Sequence, residues 1–87
     1  MCNSEVTLIE SLGNELRQMY ENAPENEKTT MIHLFGIMNG DTILDNYLNV
    51  TEIVRASGIH SSYQAEVSKG VRLSKYVEVK PNVILPN

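Results

Sequence analysis

Eighty-seven residues leave room for one hydrophobic core and not for a second. A hydrophobic share of 41% can fill that core, and with 21% charged residues the chain falls outside the low-complexity and disordered classes. The net charge of −4 speaks against a generic charge-driven nucleic-acid binder, the single cysteine, Cys2, excludes an internal disulfide, and no apolar run reaches membrane-spanning length.

The first helix is predicted from about Glu5 to Asn22, where Leu8, Leu12, Leu16, Met19 and Ala23 recur three or four apart and Ile9 and Tyr20 widen the stripe. Ser4 or Thr7 can cap its start, Thr7 with Glu10 making a capping-box pattern, and Gly13 weakens its middle. Pro24 breaks this helix and suits the first turn of the next, with Glu25 and Glu27 at the positive N-terminus of a helix running to about Met38. This second helix, with Met31, Ile32, Leu34, Phe35, Ile37 and Met38, is the most apolar segment and is expected at the centre of the fold. Asn39-Gly40-Asp41 reads as a stop and a restart, Gly40 ending one helix and Asp41 capping a short third one from Thr42 to Leu48.

Asn49 caps a fourth helix, with Glu52 placed to reach back, Val50, Ile53, Val54 and Ala56 inward, and Gly58 as its left-handed stop. The sequon Asn49-Val50-Thr51 is therefore read as a cap and not as a glycosylation site. Ser61 and Gln64 form a second capping box, and a fifth helix runs to about Lys69 with Gly70 as its C′ residue. A further turn or two follows over Val71 to Val77. The stretch EVKPNVILPN, with two prolines, then reads as an extended tail, packed as an edge strand or free to dock on a partner. The expected architecture is all-α: a small bundle of four to five helices with a helix-turn-helix-like unit, one domain over residues 1–79 and a tail over 80–87.

Charge divides the chain. Residues 1–50 carry eight acids against two bases, Arg17 and Lys28, a balance of −6. Residues 51–87 carry three acids against Arg55, Lys69, Arg72, Lys75 and Lys80, a balance of +2. The basic half is the half in which two helices flank Gly58.

A helix-turn-helix places a glycine at a tight turn, a small or β-branched residue where the helices cross, and polar residues at the start of the second helix, whose N-terminal end meets base edges. Gly58, Ile59 and His60-Ser61-Ser62 supply that order, with Ala65, Glu66 and Lys69 on later exposed turns. In Gly58-Ile59 and Val67-Ser68-Lys69-Gly70, and in the spacing of the two glycines, the chain resembles the phage-repressor-like helix-turn-helix family over about thirty residues. Arg72-Leu73-Ser74 resembles the segment after that family's recognition helix. Val54 stands where the family prefers alanine and Gln64 where it has an aliphatic residue, so Tyr63 must supply the core contact through a shifted or longer turn. IHLFGI (32–37), GIHSSY and KGVRLSKYV also look like small bacterial helix-turn-helix-like domains. The resemblance implies double-stranded DNA as partner, Ser61, Ser62, Ala65 and Lys69 as groove contacts with His60 at the turn, Arg55, Arg72 and Lys75 as backbone clamps, and regulation by operator occupancy.

Other chemistry has little support in the residues. His33 and His60 lie in different elements and Cys2 is remote from both, so no metal site is expected. No phosphate loop and no nucleophile motif is present, so neither an enzyme nor a cofactor is expected. The alternative function is a non-catalytic interaction module (an inhibitor, an adaptor, or a subunit of a phage-defence or toxin–antitoxin assembly) in which the helix-turn-helix is architectural. Its partner would be met by acids such as Glu10, Glu15 and Glu21, or by the apolar tail at Val83, Ile84 and Leu85. Dimerisation would help so small a domain. The lone cysteine and an N-terminus without a secretory pattern suit a cytoplasmic protein that does not use a membrane.

Overall fold

A computed structural model of the chain describes residues 3–83, and the side chains of residues 6–83. Among the described residues four α-helices follow one another: α1 (Asn3–Glu21), α2 (Lys28–Asp45), α3 (Val50–Ser57) and α4 (Gln64–Leu73), with a single 3₁₀ turn, Ser61–Tyr63, ahead of α4. There is no strand among the described residues. Leu12, Leu16 and Met19 of α1 meet Met31, Ile32, Phe35 and Ile43 of α2, Ile53 and Val54 of α3, and Val67 and Val71 of α4 in one core. The stripe expected on the first helix is thus core, and Tyr20 and Ala23 flank it half-buried.

The first helix begins earlier than expected. Thr7 and Glu10 lie inside α1, so their pairing caps nothing. The loop after α1 is longer than Pro24 implied: Asn26 takes φ +68°, and α2 starts at Lys28 with Glu25 and Glu27 outside its first turn. Lys28 donates to the Tyr20 carbonyl at 3.0 Å, at the carbonyl end of α1 where a cation is favoured, and its ammonium lies 4.4 Å from the Tyr20 ring centroid.

The expected stop at Asn39-Gly40-Asp41 is absent. One helix runs through it to Asp45, replacing the two predicted there. A mid-helix glycine costs roughly 1 kcal/mol relative to alanine. Here α4 offsets that cost by close approach. A Cβ on Gly36 would lie 2.7 Å from the Val67 carbonyl oxygen and the Val71 nitrogen, and one on Gly70 would lie 2.4 Å from the His33 carbonyl oxygen. On Gly40 it would collide with the Ser74 side chain. Gly36, Gly40 and Gly70 therefore form a seam in which the α2 and α4 backbones nearly touch. Gly70 is accordingly an interior residue of α4 and not its C′ residue.

The true end of α2 lies at Asn46. The Leu48 N–H donates to the Ile43 carbonyl at 2.9 Å and the Tyr47 N–H to the Leu44 carbonyl at 3.2 Å, the paired bonds of a Schellman motif. Tyr47 holds the left-handed position, φ +53°, usually given to glycine, and Leu48 follows it into the core. Among the expected tail residues 80–87, the described ones form a turn in which the Val83 N–H donates to the Lys80 carbonyl at 3.1 Å, and Ile84 and Leu85 lie outside the described residues.

Candidate nucleic-acid interface

The interface is built from α3, the turn and α4. Asn49 caps α3 as expected, its side-chain oxygen accepting from the Thr51 N–H at 2.8 Å. Glu52 does not reach back to it; its carboxylate accepts from Arg55 at 2.8 Å on the exposed side of the same helix. Gly58 ends α3 at φ +79°, a left-handed conformation, with open space around it. The inward residue before it is Ser57, fully buried, and not Ala56, which is exposed beside Gly13 of α1. The Ser57 hydroxyl donates to the Val54 carbonyl at 2.6 Å and accepts from the Ile59 N–H at 3.2 Å, so one side chain satisfies both sides of the turn.

His60, and not Ser61, caps the next element. Its Nδ1 accepts from the Ser62 N–H at 3.0 Å, with the Ser62 hydroxyl 2.9 Å away, which leaves the neutral ring its proton on Nε2. The 3₁₀ turn that follows is the longer connection that Gln64 required. Tyr63 packs edge-on against Tyr20 with ring centroids 5.2 Å apart. The neighbouring Tyr20 phenol pushes the Tyr63 hydroxyl above its ordinary pKa.

The two sides of α4 then separate cleanly. Tyr63, Val67, Gly70, Val71 and Ser74 turn toward the bundle. Ser62, Ala65, Lys69 and Arg72, three or four residues apart, form an exposed stripe. His60 and Ser61 are exposed at its head, Lys75 is exposed just past its end, and Arg55 is exposed on α3. All eight residues expected to meet DNA are therefore on the surface, six of them along the turn and α4, with Arg55 one helix away and Lys75 one step beyond.

Glu66 departs from this stripe. It is half-buried, and its Oε1 lies 2.6 Å from Nε2 of His33 on α2. Lys69 Nζ is 3.4 Å from its other oxygen. The hydrogen bond from His33, with Lys69 adding to it, holds the Glu66 carboxyl below the usual carboxylate range. The acid that would repel phosphate is thus drawn back against α2. Because Glu52 and Glu66 take Arg55 and Lys69, Arg72 and Lys75 are the cations of this face with no ion pair among the described residues.

The acids proposed for a protein partner are not alike. Glu10 and Glu21 are exposed on α1, whereas Glu15 is half-buried and accepts from Asn39 of α2 at 3.1 Å. The contributions of His33 and the glycine seam were missed in the sequence. The spacing of Gly36 and Gly40, four apart on one helix face, was the available signal for close helix approach. Residues 33 and 66 carried no local sign of pairing.

Residues 8–80 match the family described as HTH-like domain. The chain belongs to this family. The match covers most of the chain and spans all the interface residues named above, and it is this broader family, not the phage-repressor-like one, that it shows. No curated protein and no solved structure gives a match to the chain. None of the described helices of this HTH-like domain is long and apolar enough to cross a membrane.

Proposed function

We propose that this HTH-like domain is a non-catalytic DNA-binding protein of the bacterial or phage cytoplasm that regulates transcription by occupying an operator. The observation that supports it most is the stripe Ser62, Ala65, Lys69 and Arg72 on the free side of α4, backed by a helix whose other side is locked into the bundle. A helix is roughly 10–12 Å across with its side chains, which suits a major groove about 12 Å wide, and the ten residues of α4 lay roughly 15 Å of helix along it. In this mode Ser61 and Ser62 hydrogen-bond base edges or phosphates at the head of the helix, and the Ala65 methyl group packs against a thymine methyl. Lys69, Arg72 and Lys75 neutralise phosphates, Arg55 reaches the backbone from α3, and His60 offers Nε2–H beside the groove. Serine reads several bases equally, so sequence selectivity is modest and phosphate contacts supply most of the affinity.

Fluorescence anisotropy of the purified protein against mixed-sequence and self-upstream duplexes, at two salt concentrations, tests this reading. Binding that prefers one duplex and weakens steeply with salt supports it. No binding at low salt rejects it.

One observation favours the second reading, an interaction module in an inhibitory, defence or toxin–antitoxin assembly. The acidic first half keeps Glu10 and Glu21 exposed, while its bases are engaged within the chain, Lys28 with Tyr20 and Arg17 with Asn14. A basic protein partner would be met there. Replacing Glu10 and Glu21 with glutamine would weaken capture of such a partner and leave DNA binding unchanged or stronger; unchanged capture would remove α1 from consideration.

A further inference from the structure

The C-terminal half of α2 and the segment after α4 enclose an open groove of about 740 Å³, lined among others by Ile37, Met38, Asp41, Tyr76, Val77 and Val79. Its lining is mixed, with Asp41, Ser74 and Glu78 among the apolar residues, and three large apolar side chains stand exposed at it: Met38 is 40% exposed, Tyr76 81% and Val77 49%. These side chains stand on an ordered backbone. The Tyr76 and Val77 N–H groups both donate to the Leu73 carbonyl, at 2.9 and 3.0 Å, so the chain holds them outward past the end of α4.

The charges around the groove indicate what covers it. Asp41 and Glu78 line it, and Lys75 and Lys80 flank it on the same segment. None of the four makes an ion pair among the described residues. A basic partner would suit the two acids and be opposed by the two lysines, and an acidic partner the reverse. A surface with equal numbers of both, placed against itself by a two-fold axis, answers each charge twice.

We propose that this groove docks a second copy of the chain, Tyr76 and Val77 of each copy seated against Met38 and Ile37 of the other, with Lys75 and Lys80 facing the partner copy's acids. The inference does not depend on DNA binding. It gives the domain a second reading helix if the DNA reading holds, Lys75 then serving the contact between copies and leaving Lys69 and Arg72 to the phosphates, and it stands as a homodimer if that reading fails.

Sedimentation equilibrium of the full chain, without DNA, tests it over a range of concentrations. The mass should rise from one chain to two, and Val77→Asp should shift the midpoint toward single chains by about ten-fold or more, as expected for a central apolar contact. Val77 is half-exposed, and unchanged circular dichroism would verify that this variant folds. A charge test is independent of that variant. A chain carrying Asp41→Lys and Glu78→Lys, and another carrying Lys75→Glu and Lys80→Glu, should each remain single alone and pair when mixed. A wild-type chain that stays single at every concentration overturns the proposal. So does a dimer that Val77→Asp leaves intact, or a mixture of the two reversed chains that does not pair.

Discussion

The two sides of α4 obey opposite rules. On the inner side Gly70 lies so close to the His33 carbonyl that a single added carbon cannot be accommodated. On the outer side Ala65, Lys69 and Arg72 carry side chains that pack against nothing in the core. One side works through what its residues lack and the other through what they carry. A helix meant to be presented to a partner benefits from this division, because the contact that fixes its position leaves the presenting side free to vary.

Gly70→Ala should disturb the inner side most. Its new Cβ would meet backbone on two sides, His33 and Gly36, which cannot rotate away as a side chain can. We expect a loss of about 3 kcal/mol after the small gain in helix propensity, the upper end of overpacking costs, measured by urea unfolding. A loss below about 1 kcal/mol would mean that the two helices separate easily and that the seam does not position α4. The outer side should behave in the reverse manner. Replacing Lys69, Arg72 and Lys75 together by alanine should leave stability within about 0.5 kcal/mol per site while flattening the salt dependence of DNA binding by about 2–3 in the log–log slope. An unchanged slope would show that the docking face is elsewhere.

Two left-handed residues sharpen the contrast between conformational and packing glycines. Gly58 has open space around it and is needed only for its φ of +79°, whereas Tyr47 occupies the same region without being glycine. Tyr47→Gly should stabilise the domain by about 0.5–1 kcal/mol, the relief of left-handed strain less the added entropy of the unfolded chain. Thermal unfolding would show it as a rise of several degrees. A fall instead would mean that the exposed tyrosine makes a stabilising contact of its own.

The smallest effect concerns Glu66, which sits between the two sides. Its folded pKa is lowered by His33, so its contribution is present above the ordinary carboxylate range and is lost as pH falls through the lowered value. Glu66→Gln should therefore be less stable than the wild type near neutrality and should converge on it in acid, with melting temperatures between about pH 6 and pH 3 showing the approach. Parallel curves would mean that the 2.6 Å contact does not bias the ionised form.

Much of the unit that carries the proposed function was legible locally. Asn49 announces the start of α3 and Gly58 its end because a cap and a left-handed stop are satisfied within a few residues. Gln64 in place of an aliphatic residue pointed to a longer turn with Tyr63 as the core contact, and the 3₁₀ turn and the Tyr20 packing have that form. Two of the misplaced boundaries share one cause. Gly40 and Gly70 look like stops to any reading that counts only local propensity, and each is a point where another helix crosses. The helix end at Tyr47 escaped notice for the converse reason: tyrosine is not a left-handed residue by preference, and burial of Leu48 drives it there.

By itself the sequence determined that this protein is helical, that its apolar stripes make one core, and that two capped helices around Gly58 lie in its basic half. Those properties depend on spacing along the chain, which periodicity and capping chemistry record directly. Only the tertiary structure decided that α2 and α4 run unbroken through their glycines, that His33 draws Glu66 back from the exposed side of α4, and that Met38 and Tyr76 border one groove. Each of these joins residues distant in the chain, and the energy that settles them comes from contact between helices, which no local pattern contains.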